Sequence, residues 1–193
     1  MIVFIEGEIV RKTPANIWMQ AGGIGYEIHI SLNTYEQIQD WKKGKLFIYH
    51  HITEQTQSLY GFFDEKERDL FLHLISVSGI GTSTARVALS GMQPTEISHA
   101  IINENEAVIK SIKGIGPKTA QRLILELKDK LIKSSENVEL QPSSNNNLSQ
   151  DALTALISLG IARNVAYKAV QKVISSGEHD QVEEVIKLAL KQI

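Results

Sequence analysis

Cysteine is absent from the 193-residue chain, which excludes disulfides and thiolate metal sites and suits a reducing compartment. No apolar run approaches the ~18 residues of a membrane span. The opening Met1-Ile2-Val3-Phe4-Ile5-Glu6 has neither the basic start nor the cleavage site of a secretory leader, so a cytoplasmic protein with no membrane association is expected. Aromatic residues are scarce at 6%, whereas hydrophobic residues reach 42%, so the cores must be largely aliphatic. Two chemistries fail for want of particular residues. The phosphate loop of NTPases needs glycine directly before its lysine and another glycine five residues earlier, but Pro117 precedes Lys118 and Ser111 to Lys113 hold no glycine. His50 and His51 stand near Glu54, yet neighbours on a strand point to opposite faces and no third spaced ligand follows, so no metal and no cofactor is expected.

A strong basic excess is missing too, the formal net charge being −2. Residues 65–133 carry ten basic against eight acidic side chains; residues 1–64 carry five against seven, 134–150 none against two, and 151–193 five of each. One segment alone is net positive. With so small an excess, a polyanion would have to be held through backbone amides, a few placed lysines and several copies acting together.

That positive segment contains a repeat. Ser78-Gly79-Ile80-Gly81-Thr82-Ser83-Thr84-Ala85 returns 35 residues later as Lys113-Gly114-Ile115-Gly116-Pro117-Lys118-Thr119-Ala120. Apolar residues at helical spacing flank each copy: Leu70, Phe71, Leu74 and Ile75 before the first, and Ala107 to Ile112 before the second, with Thr119 to Leu131 after it. The unit is helix, Gly-Ile-Gly, helix. Glycine permits positive φ in a sharp reversal and, lacking Cβ, lets another molecule approach the backbone. Ile80 and Ile115 can turn inward and pin the bend, leaving free N–H groups at the start of the following helix, where the macrodipole is positive. Such a helix start binds phosphate. Two copies related by a pseudo-two-fold predict a tandem helix-hairpin-helix module that holds a duplex by its backbone without reading sequence. Gly79, Gly81, Thr82 and Ser83 of the first copy and Gly114, Gly116, Lys118, Thr119 and Arg122 of the second are the candidate phosphate-binding residues.

The predicted fold is multidomain α+β. Residues 1–64 read as about five strands, in the stretches near Phe4 to Ile9, Asn16 to Met19, Tyr26 to Ile30, Leu46 to Ile52 and Ser58 to Phe63, with a short helix over Thr34 to Trp41; the count fits an OB-fold β-barrel. Residues 65–133 form the all-α tandem module. Residues 134–150, rich in Ser and Asn, are too polar to bury a face and predict a flexible linker reaching roughly 23 Å. Residues 151–193 predict three short helices. There the stretch Leu159-Gly160-Ile161 is open to two uses, packing into the small core or binding a partner.

Taken together, Gly22-Gly23-Ile24-Gly25-Tyr26-Glu27, Ser58-Leu59-Tyr60-Gly61-Phe62, both Gly-Ile-Gly hairpins, Leu89-Ser90-Gly91-Met92, Leu125-Glu126-Leu127-Lys128-Asp129 and Leu156-Ile157-Ser158-Leu159-Gly160 resemble the RuvA family of Holliday junction-binding proteins. The resemblance spans the whole chain. It implies an OB-fold domain that closes a homotetramer, a tandem hairpin domain on each duplex arm, and a tethered three-helix, UBA-like domain. That last domain recruits the RuvB ATPase, here through Leu156, Leu159 and Ile161. The chain itself is implied to be non-catalytic. It holds four-way junction DNA open and planar for branch migration in recombination and repair, with one or two tetramers around a junction, and it can associate with a resolvase. The family's acidic pin falls on Glu54 and Gln55, the second carboxylate being replaced by an amide. One carboxylate repels a phosphate by about 0.5 kcal/mol in water at ~8 Å, and Gln55 halves the formal charge of the pin. Thr82-Ser83 is a second departure, at a hairpin where relatives often carry lysine.

Two other classes compete with this one. A nuclease gripping DNA by the same hairpins would need clustered carboxylates for metal ions; Glu65, Glu67 and Asp69 are the nearest group, and on a helix they scatter around the axis. An adaptor would use residues 151–193 to bind some protein other than an ATPase.

Overall fold

The computed structural model describes residues 1–139, 144–175 and 181–192. They fall into two compact units, Met1–Ser134 and Ser135–Ile193. The first begins with β1 (Phe4–Lys12), β2 (Asn16–Ala21), β3 (Ile24–Ile30), α1 (Leu32–Gln37), β4 (Lys43–Ile52) and β5 (Gln57–Phe62). The strands close in the order β1-β2-β3-β5-β4, an OB-like barrel in which β3 and β5 run parallel and every other pair antiparallel. Period-two alternation builds its core: Ile17 and Met19 of β2, Ile28 and Ile30 of β3, and Leu46 and Ile48 of β4 point inward, while Trp18 is exposed. Gly22 and Gly23, both at positive φ, make the two-residue turn between Ala21 and Ile24, which pair across it. Lys12 secures the end of α1, its Nζ donating to the carbonyls of Ile38 at 2.5 Å and Gln39 at 2.7 Å.

Five helices follow, α2 (Glu65–Ser76), α3 (Thr82–Gly91), α4 (Pro94–Ile102), α5 (Glu106–Ser111) and α6 (Pro117–Glu139), the last of them ending beyond the boundary of this unit. Asp64 caps α2, accepting from Glu67 N at 2.8 Å, and Asn105 caps α5, accepting from Val108 N at 3.3 Å. One core runs through them, with Phe71, Leu74, Leu89, Ile101, Leu123 and Leu127 among its members. The second unit contains α7 (Ser144–Ser158), α8 (Arg163–Ser175) and α9 (Val182–Leu190) around a separate small core. Helix enters the stretch read above as a linker from both sides, α6 continuing to Glu139 and α7 starting at Ser144; residues 140–143 lie outside the described residues. Among the described residues no helix is long and apolar enough to cross a membrane.

Barrel and helices are joined by a buried carboxylate. Glu67 is only 4% exposed; it accepts from the Ser31 hydroxyl and, at 2.6 Å, from Thr34 Oγ1. Thr34 Oγ1 in turn accepts from Phe63 N at 3.1 Å. Burial pushes the Glu67 carboxyl above its ordinary value of 4.5, while the two hydroxyl bonds pull it back down. Glu65 and Asp69 instead pair with Arg68, at 3.6 and 3.0 Å. These three carboxylates therefore do not converge on a metal.

Replacing Glu67 by alanine leaves two buried hydroxyls short of an acceptor, at an expected cost of about 3 kcal/mol in urea unfolding. Glu67→Gln should cost less and change the pH response. Because the folded pKa is raised, the carboxyl's contribution is fully present below 4.5 and is lost as pH rises through the raised value. Wild type should thus gain stability relative to Glu67→Gln as pH falls through that window. A constant difference between the two across the window would refute the buried-charge account.

Candidate nucleic-acid interface

The repeat seen in sequence is repeated in backbone geometry. In the first hairpin Ile80 N donates to Val77 O at 3.0 Å and Ala85 N to Gly81 O at 3.0 Å; in the second, Ile115 N donates to Ile112 O at 3.1 Å and Ala120 N to Gly116 O at 2.9 Å. Gly79 has φ +97° and Gly114 φ +94°, the left-handed conformation that the reversal requires. Ile80 and Ile115 are both buried in the shared helical core, which fixes each bend from beneath.

The two bends also pack reciprocally. A Cβ on Gly79 would lie 3.7 Å from Thr119 Oγ1 of the second hairpin, and one on Gly114 would lie 3.4 Å from Thr84 Cγ2 of the first. Each glycine thus meets the threonine that is the repeat mate of the other's neighbour, as a two-fold axis between the copies demands. Thr119 therefore directs its side chain at the first hairpin. Gly81 and Gly116 differ from the inner pair: a Cβ on either meets nothing within 4 Å. Gly81 is the N-cap of α3 and no side chain caps that helix, so its first amides are left without a cap. Pro117, first residue of α6, lacks an N–H at a position where that group would have no helical partner; Lys118 and Thr119 supply the donors that follow.

Side chains from other elements reach the first hairpin. Tyr60 of β5 donates its hydroxyl to Thr82 Oγ1 at 3.0 Å, leaving the Thr82 hydroxyl hydrogen to donate elsewhere. Arg122 of α6 donates from Nη1 to Ser78 O at 3.3 Å. Arg86 of α3 reaches the barrel at Ala15 O, 3.4 Å away. His29 stacks on Tyr60 with ring centroids 5.3 Å apart; burial, then the charge of Arg86, hold its imidazole below the ordinary 6.5, against a smaller opposing effect of Glu27. Tyr60 and His29 were not among the candidate residues, because only the fold of the barrel brings β3 and β5 beside the first hairpin; Arg86 lies on α3 itself, outside the glycine-bearing repeat. Ser83, Lys118 and Arg122 are exposed.

The predicted pin is the tip of the β4–β5 hairpin. Thr53 N donates to Thr56 O at 2.9 Å, and Thr53 Oγ1 accepts from Thr56 N at 3.0 Å. Glu54 and Gln55 are thereby held as the two central, exposed residues of a tight turn.

In the second unit the three residues expected to bind a partner separate. Leu156 is fully buried at 0% exposure and cannot meet a partner directly, which corrects that expectation. It belongs to a helix stop: Gly160 at φ +90°, Gly160 N donating to Ile157 O at 2.9 Å and Ile161 N to Leu156 O at 3.1 Å. In this Schellman arrangement the residue after the glycine packs against the helix three positions before its cap, so Leu156 and Ile161 hold the stop together. Ile161 is half-buried against the core. Leu159, 65% exposed, is the one of the three free to bind.

Three family models match in sequence order: "RuvA N terminal domain" over residues 1–61, "SAM-like Helix-hairpin-helix tandem" over 71–129 and "RuvA, C-terminal domain" over 147–193. Relatives match over essentially the whole of both chains. A protein of Christiangramia forsetii is 44% identical over 193 residues, covering 100% of both chains, and one of Bacteroides fragilis is 44% identical over 201 residues, again covering 100% of both. A third, from Cytophaga hutchinsonii, is 43% identical over 197 residues with 99% of each covered. All three carry the name Holliday junction branch migration complex subunit RuvA. Similarity of this extent, running unbroken from barrel to last helix, makes the chain a member of the RuvA family.

Proposed function

We propose that the chain binds four-way DNA junctions by their backbones and presents them to a RuvB-type ATPase that drives branch migration. The observation that carries this is the reciprocal pair of hairpins, whose open glycines Gly81 and Gly116 stand at helix starts with amides facing solvent. Two such cradles are built on one core, one for each strand of a duplex in this reading. They read no base edges, so affinity depends on shape and charge. The division of labour we propose is a barrel over 1–64 that assembles subunits and sets Glu54 and Gln55 at the junction centre. Residues 65–133 grip an arm, 134–150 connect, and 151–193 engage the motor through Leu159. No catalytic residue and no cofactor is assigned to the chain, and its proposed place is the cytoplasm.

Since residues 65–133 exceed neutrality by only two positive charges, one subunit should bind weakly and a homotetramer strongly. Light scattering of the protein with and without a synthetic four-way junction tests this: one tetramer, leaving a face for a resolvase, or two enclosing the junction. A monomer on DNA would overturn it. With two cradles in each of four subunits, log K should fall with log salt at a slope of about −7. A flat titration, or equal affinity for a linear duplex of the same length, would count against junction binding.

A further inference from the structure

We propose that Tyr60 of the barrel is a positioning residue for the first cradle, aiming the hydroxyl of Thr82 at a backbone phosphate of the junction. The proposal rests on the phosphate grip proposed above and names how one of its donors is set. Aligning the two copies places Thr82 opposite Pro117 and Ser83 opposite Lys118. The first hairpin thus carries a pair of hydroxyls where the second carries a ring without a donor and a cation. Among the described residues, the bond from the Tyr60 hydroxyl to Thr82 Oγ1 at 3.0 Å is the one hydrogen bond that a barrel side chain makes to either copy, 78–85 or 113–120.

The direction of that bond decides what it can do. A hydroxyl has one hydrogen and two lone pairs; Thr82 Oγ1 accepts from Tyr60, so its own hydrogen is left to donate onward. A phosphate oxygen only accepts. A chain running from the Tyr60 hydroxyl through the Thr82 hydroxyl to a phosphate therefore points every hydrogen toward the anion, and each link polarises the next. Thr82 is the first residue of α3, directly after its N-cap Gly81, where a Cβ would meet open space, so this donor stands beside the uncapped amides. The tyrosine itself is held. Its ring centroid lies 5.3 Å from that of His29, 5.3 Å from Phe71 and 6.3 Å from Tyr49, and Tyr49 is also its cross-strand partner. With the ring wedged among these neighbours, the hydroxyl of Thr82 is oriented before a ligand arrives, which reduces the freedom lost on binding. The second hairpin has no counterpart: Pro117 has no hydroxyl to receive such a bond, and the exposed Lys118 supplies a charge instead.

The test measures the affinity of full-length protein for a synthetic four-way junction, and its salt dependence, in Tyr60→Phe, Thr82→Val, the two combined, Thr82→Ser and Lys118→Ala. Thr82→Val should weaken binding about tenfold, as expected for losing a hydrogen bond to a charged group. Tyr60→Phe should weaken it about threefold, and the combined variant no more than Thr82→Val alone, because the tyrosine acts through the threonine. Thr82→Ser keeps the hydroxyl and should recover most of what Thr82→Val loses. None of these changes at positions 60 and 82 removes a charge, so the slope of log K against log salt should stay that of wild type. Full affinity in Tyr60→Phe or in Thr82→Val overturns the proposal, as do losses that add in the combined variant or a Thr82→Ser that binds no better than Thr82→Val. A slope that falls along with affinity in Tyr60→Phe also overturns it, marking the tyrosine as a brace whose loss displaces the whole hairpin. If these variants and Lys118→Ala all bind as wild type, the phosphate grip itself is at fault; if Lys118→Ala alone weakens binding, only the role of Tyr60 is.

Discussion

Junction affinity should fall by at least about a hundredfold in the double variant Gly81→Val, Gly116→Val while the protein remains folded. Each glycine borders amides that face open space, and a Cβ at either meets nothing in the protein. A branched side chain would therefore occupy the volume of the phosphate and nothing else. Charge-assisted hydrogen bonds contribute about 1.5–3 kcal/mol each, so removing both cradles exceeds the ~2.7 kcal/mol that a hundredfold represents. The cost in stability is that of a poorer N-cap, about 1 kcal/mol for each helix, a modest shift in a melting curve. Gly114→Val is the wrong control. At φ +94° and 3.4 Å from Thr84 it strains the hairpin itself, so lost binding would report damage. Fluorescence anisotropy with a labelled junction, alongside thermal melts, decides the matter: full affinity in a folded double variant would dispose of the amide cradle.

Removing residues 135–193 should leave junction affinity within about twofold, a shift under ~0.5 kcal/mol, and reduce motor-driven branch migration to the level of the motor alone. Among the described residues the two units have separate cores, so the cut removes no member of the cores that hold the barrel and hairpins. A finer version substitutes Leu159 by aspartate. That exposed side chain can change without disturbing the helix stop, and the same loss of stimulation is expected with the domain intact. Leu156→Ala would instead open a cavity under the stop, at about 2–5 kcal/mol in a three-helix core. Normal stimulation by Leu159→Asp would move the motor contact to another surface of this unit.

The sequence carried the barrel, the repeat and the three-helix end for a physical reason: each depends on periodicities of two or 3.6 and on glycines at bends. What it could not reveal depends on residues far apart in the chain. Glu67 looked like one of three scattered acids, and only the fold of α1 onto α2 brings Ser31 and Thr34 to it. Arg122 looked like a helper of Lys118, since spacing along one helix says nothing about what crosses to another. Leu156 and Leu159 carry the same side chain three residues apart; the Schellman bonds that bury one and expose the other run through Gly160. For the stretch 134–150, polar composition pointed to a linker, yet α6 continues to Glu139; polar residues are compatible with helix and coil alike.

The reciprocal contact of Gly79 with Thr119 and Gly114 with Thr84 has one more consequence. Each bend lies against a threonine of the other, so the gap between the two proposed phosphate sites is set by the protein's own interior and not by the molecule bound. The pair behaves as a calliper locked at one opening. If the two bends seat phosphates as proposed, a double helix whose facing rails match that fixed opening should be held by both jaws, and one whose rails do not should be held less tightly.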